Sequence, residues 1–145
     1  MDRIEEARKV LVMIENVNPD DTATLDEIDA RAWCLVNGTK ITRCFDGIWF
    51  HDGIQGREAS CGMLDPESMY GDLPQYTRSR DALKGIRLDG WYLTIEQFCD
   101  TGFVCEMADL RDNKPLVEFN SEGITETLAE LHAIIQSYIY TWENE

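Results

Sequence analysis

Positive charge is what this sequence has little of. Thirteen Lys and Arg stand against 28 Asp and Glu in 145 residues, a net charge of −15, and no base follows Lys114. That excludes a protein gripping nucleic acid through its phosphates, which needs clustered Lys and Arg. No apolar run approaches the ~18 residues of a membrane span. The opening Met1-Asp2-Arg3-Ile4-Glu5-Glu6 has neither the basic-then-apolar order of a signal peptide nor the acid-poor character of a transit peptide, so a cytoplasmic protein is expected. Histidine is scarce, with only His51 and His132. The five cysteines, at 34, 44, 61, 99 and 105, form no CxxC pair. No metal-ligand set is spelled out, and neither metal nor cofactor is expected. An odd cysteine count in a reducing compartment reads as buried free thiols. Internal repeats and low-complexity tracts are also missing.

What is present suffices for one domain spanning residues 1–145. Hydrophobic residues make up 43% of the chain, enough for a core without staples. Ile4, Ala7, Leu11 and Ile14 keep helical spacing over residues 2–15. A second helix carries Leu25, Ile28, Ala32 and Leu35, opened by a Thr24–Glu27 capping box and closed at Asn37-Gly38. Strand-like runs 40–45 and 48–51 flank Asp46-Gly47, a two-residue turn signal. Residues 52–76 show no periodicity and read as a long irregular loop, either function-bearing or an irregular edge, part of it packing down through residues among Met63, Leu64, Met69, Tyr70, Leu73 and Tyr76. A short helix over about 79–86, capped by Thr77 or Ser79, precedes three strands at 91–98, 103–108 and 116–119. A last helix over about 125–142 presents Ile124, Leu128, Leu131, Ile135, Tyr138, Ile139 and Trp142 on one stripe. Without βαβ alternation, the economical fold is α+β: an antiparallel sheet with helices packed on both faces, an α-β-α sandwich.

Charge is unevenly distributed. Residues 1–30 hold nine acids and three bases, and residues 121–145 hold five acids and no base. Residues 31–90 are neutral, with eight of each. If the acidic ends lie side by side, they make a field of one sign. Glu122, Glu126 and Glu130 recur every four residues. At about 100° per residue they fall opposite the apolar stripe of the last helix, as an unrelieved acid ridge. Asp65, Glu67 and Asp72 of the long loop would extend that face, with Tyr70 as an aromatic anchor.

Three segments together resemble a known family. They are Leu25-Asp26-Glu27-Ile28-Asp29-Ala30-Arg31-Ala32, the run from Leu73 to Leu83 containing P-x-Y-T-x-S-x-D-A-L, and Gly90-Trp91 ahead of an apolar C-terminal helix. The chain resembles the phage ABA-sandwich domain family over roughly residues 20–142. That resemblance implies an α-β-α layered fold, a phage or prophage origin and so the host cytoplasm as its location. It implies no activity. The glutamates of the last helix and the 52–72 loop depart from the family's pattern.

Catalytic constellations are thin. Asp100-Thr101-Gly102 has the form of an aspartic-protease triplet, but that chemistry needs two such loops, and a hairpin turn explains this one. His51-Asp52 with Cys44 or Cys61 could be drawn as a base, orienter and nucleophile, though His51 reads better as a surface residue at a strand end. Trp49, Tyr76 and Trp91 read as core aromatics. The reading is therefore a non-enzymatic, phage-encoded acidic binding protein. Its expected partner is a basic host protein or nucleoprotein complex, such as an RNA-guided defence nuclease, blocked by nucleic-acid mimicry. No direct contact with nucleic acid or membrane is expected. The alternatives are a sponge for a nucleotide signal, using Arg43, Arg57, Arg78 and Arg80 on phosphate, or a phage accessory or structural protein.

Overall fold

Helix ends are set by short polar side chains. Helix α1 (Arg3–Asn16) begins where Asp2 accepts from the Glu5 backbone N–H at 2.8 Å. Helix α2 (Thr22–Asn37) starts earlier than the capping-box pattern predicts. Asp21 is its cap, accepting from the Thr24 N–H at 3.3 Å and the Thr24 hydroxyl at 2.6 Å. Glu27 instead pairs with Arg31 one turn on. Gly38 closes the helix at φ 70°, a left-handed conformation that costs glycine nothing. The computed structural model describes residues 2–52, 62–66, 73–98, 102–109, 117–123 and 125–145.

Strands β1 (Ile41–Phe45) and β2 (Ile48–His51) pair antiparallel across Asp46-Gly47, whose φ values of 53° and 77° are those of the expected two-residue turn. The long segment that follows contains a strand with no sequence signature, β3 (Gly62–Leu64), which adds to β2. Leu64 is buried with Ala30, Cys34 and Leu73, so this stretch completes a small core over α2. Helix α3 is one short turn-and-a-half, Arg80–Lys84, capped by Ser79. The second sheet is the expected meander of β4 (Trp91–Phe98), β5 (Gly102–Asp109) and β6 (Val117–Gly123). Its third strand runs on to Gly123, longer than its apolar residues alone suggest.

Helix α4 (Glu126–Glu143) lies at the centre. It packs on β5 and β6, on α1 and on α3, and from Leu128 to Ile135 every residue is buried. Ala129 and Ala133 allow close approach where α4 carries no large side chain. Val10 and Ala7 of α1, Ile28 of α2, Leu83 of α3 and Ile134 of α4 meet in the main core, with Trp91 and Phe103 of the second sheet against it. The fold is α+β with antiparallel sheets, and α1, α2 and α4 pack together. Helix α1 stacks on α4, and these contacts do not establish helices on both faces of one sheet. A helix covered on both sides is apolar nearly all round, and this one conceals its direction from a single-stripe reading. Among the described residues no helix is long and apolar enough to cross a membrane.

Candidate functional site

The acidic ends of the chain do lie side by side. Arg3 pairs with Glu145, Arg8 with Glu143 at 2.5 Å, and the His132 ring nitrogen stands 3.3 Å from a Glu15 oxygen. The three basic residues of α1 are thereby occupied, since Lys9 faces Glu6 at 3.9 Å. Asp2, Glu5, Glu15, Asp20 and Asp21 remain exposed along and beyond that helix.

The expected ridge of Glu122, Glu126 and Glu130 is not one surface. Glu122 belongs to β6, where it pairs with Val104 across the ladder, and is not on the helix at all. Glu126 opens α4 and is exposed, 3.8 Å from Arg80. Glu130 has no exposed surface. Its Oε1 accepts from both Nε (3.0 Å) and Nη2 of Arg87, and its Oε2 stands 3.4 Å from Arg80 Nε. The helix-wheel argument fails because α4 is covered on more than one side, so the face opposite the stripe meets α3 and the following turn instead of water. Asp65 is half-buried just after β3. Glu67, Tyr70 and Asp72 lie outside the described residues.

A second buried carboxylate joins the sequence segments 25–32 and 73–83. Asp29 of α2, with no exposed surface, accepts from the Thr77 N–H at 2.8 Å, from the Thr77 hydroxyl at 3.2 Å and from Arg78 Nη2 at 2.8 Å. Arg78 also donates to Asp26 at 2.6 Å. Thr77 is thus a clamp residue, not a helix cap, and its carbonyl accepts from the Thr127 hydroxyl at the start of α4 at 2.6 Å. Burial pushes the Asp29 carboxyl up to about 6, against the pull of the Thr77 and Arg78 bonds. Burial also raises the Tyr76 phenol beside it well above its usual range, with the Asp29 charge adding to the effect, so it stays protonated. Sequence reasoning missed this cluster. The available signal was an acid, Asp29, in phase with the apolar stripe of its own helix.

The corner between α2 and the hairpin holds the His51 constellation. His51 is buried, not surface-exposed, and its ring lies 4.9 Å from that of Trp33. The Thr39 hydroxyl donates to Asp52 at 2.5 Å and stands 3.5 Å from His51 Nδ1. The Thr39 hydroxyl, and then the Lys40 N–H that donates to Asp52 at 2.9 Å, hold the Asp52 carboxyl below its usual range. Cys44 faces solvent on β1, opposite Trp49, three residues along the strand from the position opposite His51. Trp49 and His51 are two residues apart on β2, about 7 Å of strand, and the exposed thiol of Cys44 and the buried ring of His51 are not paired with each other. Cys61 lies outside the described residues. Cys34 is the buried thiol, pushed up to about 12 by burial and then by the Asp52 charge.

A cavity of about 200 Å³ opens beside this corner, lined by Glu6, Arg31, Cys34, Thr39, Lys40 and Ile41 among others. Arg31 is held there by Glu27 at 3.1 Å and Glu6 at 3.6 Å. Of the arginines expected to grip a nucleotide phosphate, Arg78 and Arg80 serve buried carboxylates and Arg43 stacks 4.3 Å over the Phe50 ring. None of the three lines the cavity, and Arg57 lies outside the described residues. Of the core aromatics, Tyr76 is buried, while Trp49 and Trp91 are half-buried against the two cores. Gly102 of the Asp-Thr-Gly triplet starts β5, and its two companions lie outside the described residues.

Comparison of the chain with protein families, with curated proteins and with solved structures finds no match.

Proposed function

We propose that this chain is an acidic binding protein that occupies a basic, nucleic-acid-binding surface of a host factor. The observation that carries the reading is the fate of its cations. Arg3, Arg8, Lys9, Arg31, Arg78, Arg80, Lys84 and Arg87 are each within ion-pair distance of a carboxylate of the chain itself. With the net charge at −15, the charge presented outward is overwhelmingly negative. A field of one sign draws in a basic groove and raises the rate of encounter. The concrete partner is an RNA-guided defence nuclease, whose guide and target occupy a strongly positive channel. On the same reading the chain is of phage or prophage origin, resembles the ABA-sandwich proteins in its layering, acts in the host cytoplasm, and works without catalysis or cofactor. A nucleotide sponge draws less support, because Arg43, Arg78 and Arg80 do not converge.

Competition is the direct test. The chain should displace a labelled oligonucleotide from a purified RNA-guided nuclease. Displacement should weaken as salt shortens the Debye length below ~8 Å. Reversal of the exposed acids Glu5, Asp20 and Glu126 to Lys should remove it while the protein stays folded. Displacement that ignores both salt and these reversals would overturn the reading.

A further inference from the structure

Among the described residues, the small sheet has an uncovered face and an open edge. Cys44, Trp49 and Leu64 form one cross-strand row, and buried Leu64 turns that row towards α2. The neighbouring row of Arg43, Phe50 and Met63 therefore stands on the opposite face, joined by Phe45 and Ile48 at the turn. Phe45 is 70% exposed and Met63 56%, among the few large apolar side chains so placed among the described residues. Strand β1 is also the edge of its sheet, and Thr42 to Phe45 are all exposed. In the two-residue turn the bond runs from the Ile48 N–H to the Phe45 carbonyl. Alternation from that turn points the N–H and C=O of Cys44 away from β2, towards the open side; the register shifts between Ile41 and Arg43, so it does not extend to Thr42.

We propose that this edge and face receive a second copy of the chain, β1 pairing antiparallel with β1 of its partner about a two-fold axis at Cys44. Charge selects the occupant. Residues 40–52 carry Lys40, Arg43, Asp46 and Asp52 and are neutral within a chain of −15, so here two copies approach without the repulsion that acts elsewhere. A basic partner would instead meet Lys40 and Arg43, the described bases that form no ion pair with a described carboxylate. A nucleic acid would meet the chain's overall negative field. Two registers bring Cys44 to the junction. One sets Thr42 against Cys44 and forces Arg43 against its own copy, which like charge disfavours. The other sets Cys44 against Cys44 and Arg43 against Phe45 of the partner subunit, extending the stack that Arg43 already makes on Phe50. The second register satisfies both edge hydrogen bonds and covers the exposed phenylalanine.

Sedimentation of the full chain over micromolar to submillimolar concentrations tests this. The expected mass is twice 16.7 kDa. Phe45→Asp should weaken the dimer by about tenfold or more, with the circular dichroism spectrum and Tm of the parent, since the replaced side chain is exposed. Cys44 reports the register, because directly opposed strand residues lie about 5.5 Å apart at Cα, within disulfide reach. Mild diamide, which takes up the two electrons and two protons released by the thiols, should link the parent as a dimer and leave Cys44→Ser unlinked. A chain that stays monomeric throughout overturns the proposal. So does a dimer indifferent to Phe45→Asp and linked through another cysteine. If Phe45→Asp spares self-association but weakens binding to the basic partner, the face belongs to that partner and the proposal also falls.

Discussion

Arg87 donates its Nε proton to Glu130 Oε1 at 3.0 Å, fastening the turn after α3 to the second turn of α4 at a carboxylate without exposed surface. Arg80 approaches the other oxygen at 3.4 Å from one turn before. A buried charge with such partners holds elements in place, and its removal leaves cations facing a desolvated gap. Glu126, one turn earlier on the same helix, is exposed.

These two glutamates should respond in opposite ways to truncation. Glu130→Ala should lower the unfolding free energy by about 3 kcal/mol, the cost of breaking a buried pair. Glu126→Ala should stay within about 0.5 kcal/mol. Urea denaturation measures both. Equal, small effects would mean that Glu130 is solvated in solution.

Asp29 ties stability to pH. Its carboxyl is raised in the folded chain, from 3.8 to about 6. The folded state therefore holds this proton more tightly than the unfolded state does. The resulting stabilisation is fully present below about pH 4 and is lost as pH rises through about 6. Relative to Asp29→Asn, the parent should gain up to roughly 3 kcal/mol between pH 7 and pH 4. Denaturation curves at a series of pH values give the difference directly. A gap that widens in favour of the parent towards neutral pH would contradict this placement of Asp29.

The two described thiols should differ in reactivity. Cys44 is exposed on β1, while Cys34 is buried and raised to about 12, leaving almost no thiolate at neutral pH. Brief alkylation of the native protein followed by peptide mapping should mark Cys44 and spare Cys34, and unfolding should equalise them. Fast native labelling of Cys34 would show that the small core opens readily.

Leu64 separates a structural from a dispensable role for the long connection. Leu64→Ala should cost about 2–4 kcal/mol, as for other buried leucines, while Met63→Ser on the exposed face should cost little. Replacing residues 54–72 by a short Gly-Ser linker removes β3 with Leu64 and should lower Tm substantially. An unchanged Tm would return the whole segment to the status of a surface loop.

Local signals were legible in the sequence, and layered packing was not. The Asp46-Gly47 turn, the Gly38 terminus, the meander and the four helices follow from chemistry within a few residues. The β3 strand has only Met63 and Leu64 to announce it, too few for a period to register. Glu130 shows the same limit from the other side: helix periodicity identifies one buried face, whereas α4 meets the sheet, α1 and α3. His51 looked exposed because a strand end adjoins a loop, yet Trp33 from α2 covers it. The adjacency of the two acidic ends rests on the packing of α1 against α4, but the acidity of each end was readable from charge alone. Which carboxylates face water was not, because that depends on Arg80 and Arg87, distant in sequence from the acids they pair with.

The central position of α4 also bears on how the chain reaches this structure. The helix packs against α1, and pairs such as Glu15–His132 and Arg8–Glu143 join residues separated by 117 and 135 positions. Contacts of that sequence separation demand large loop closures before they repay the lost chain entropy, and they slow folding. The apolar side of α1, with Ala7, Val10 and Ile14, meets α2 early, but the part that faces α4 has to wait for almost the entire chain to be made. During synthesis the acids of that helix are therefore its main protection against self-association.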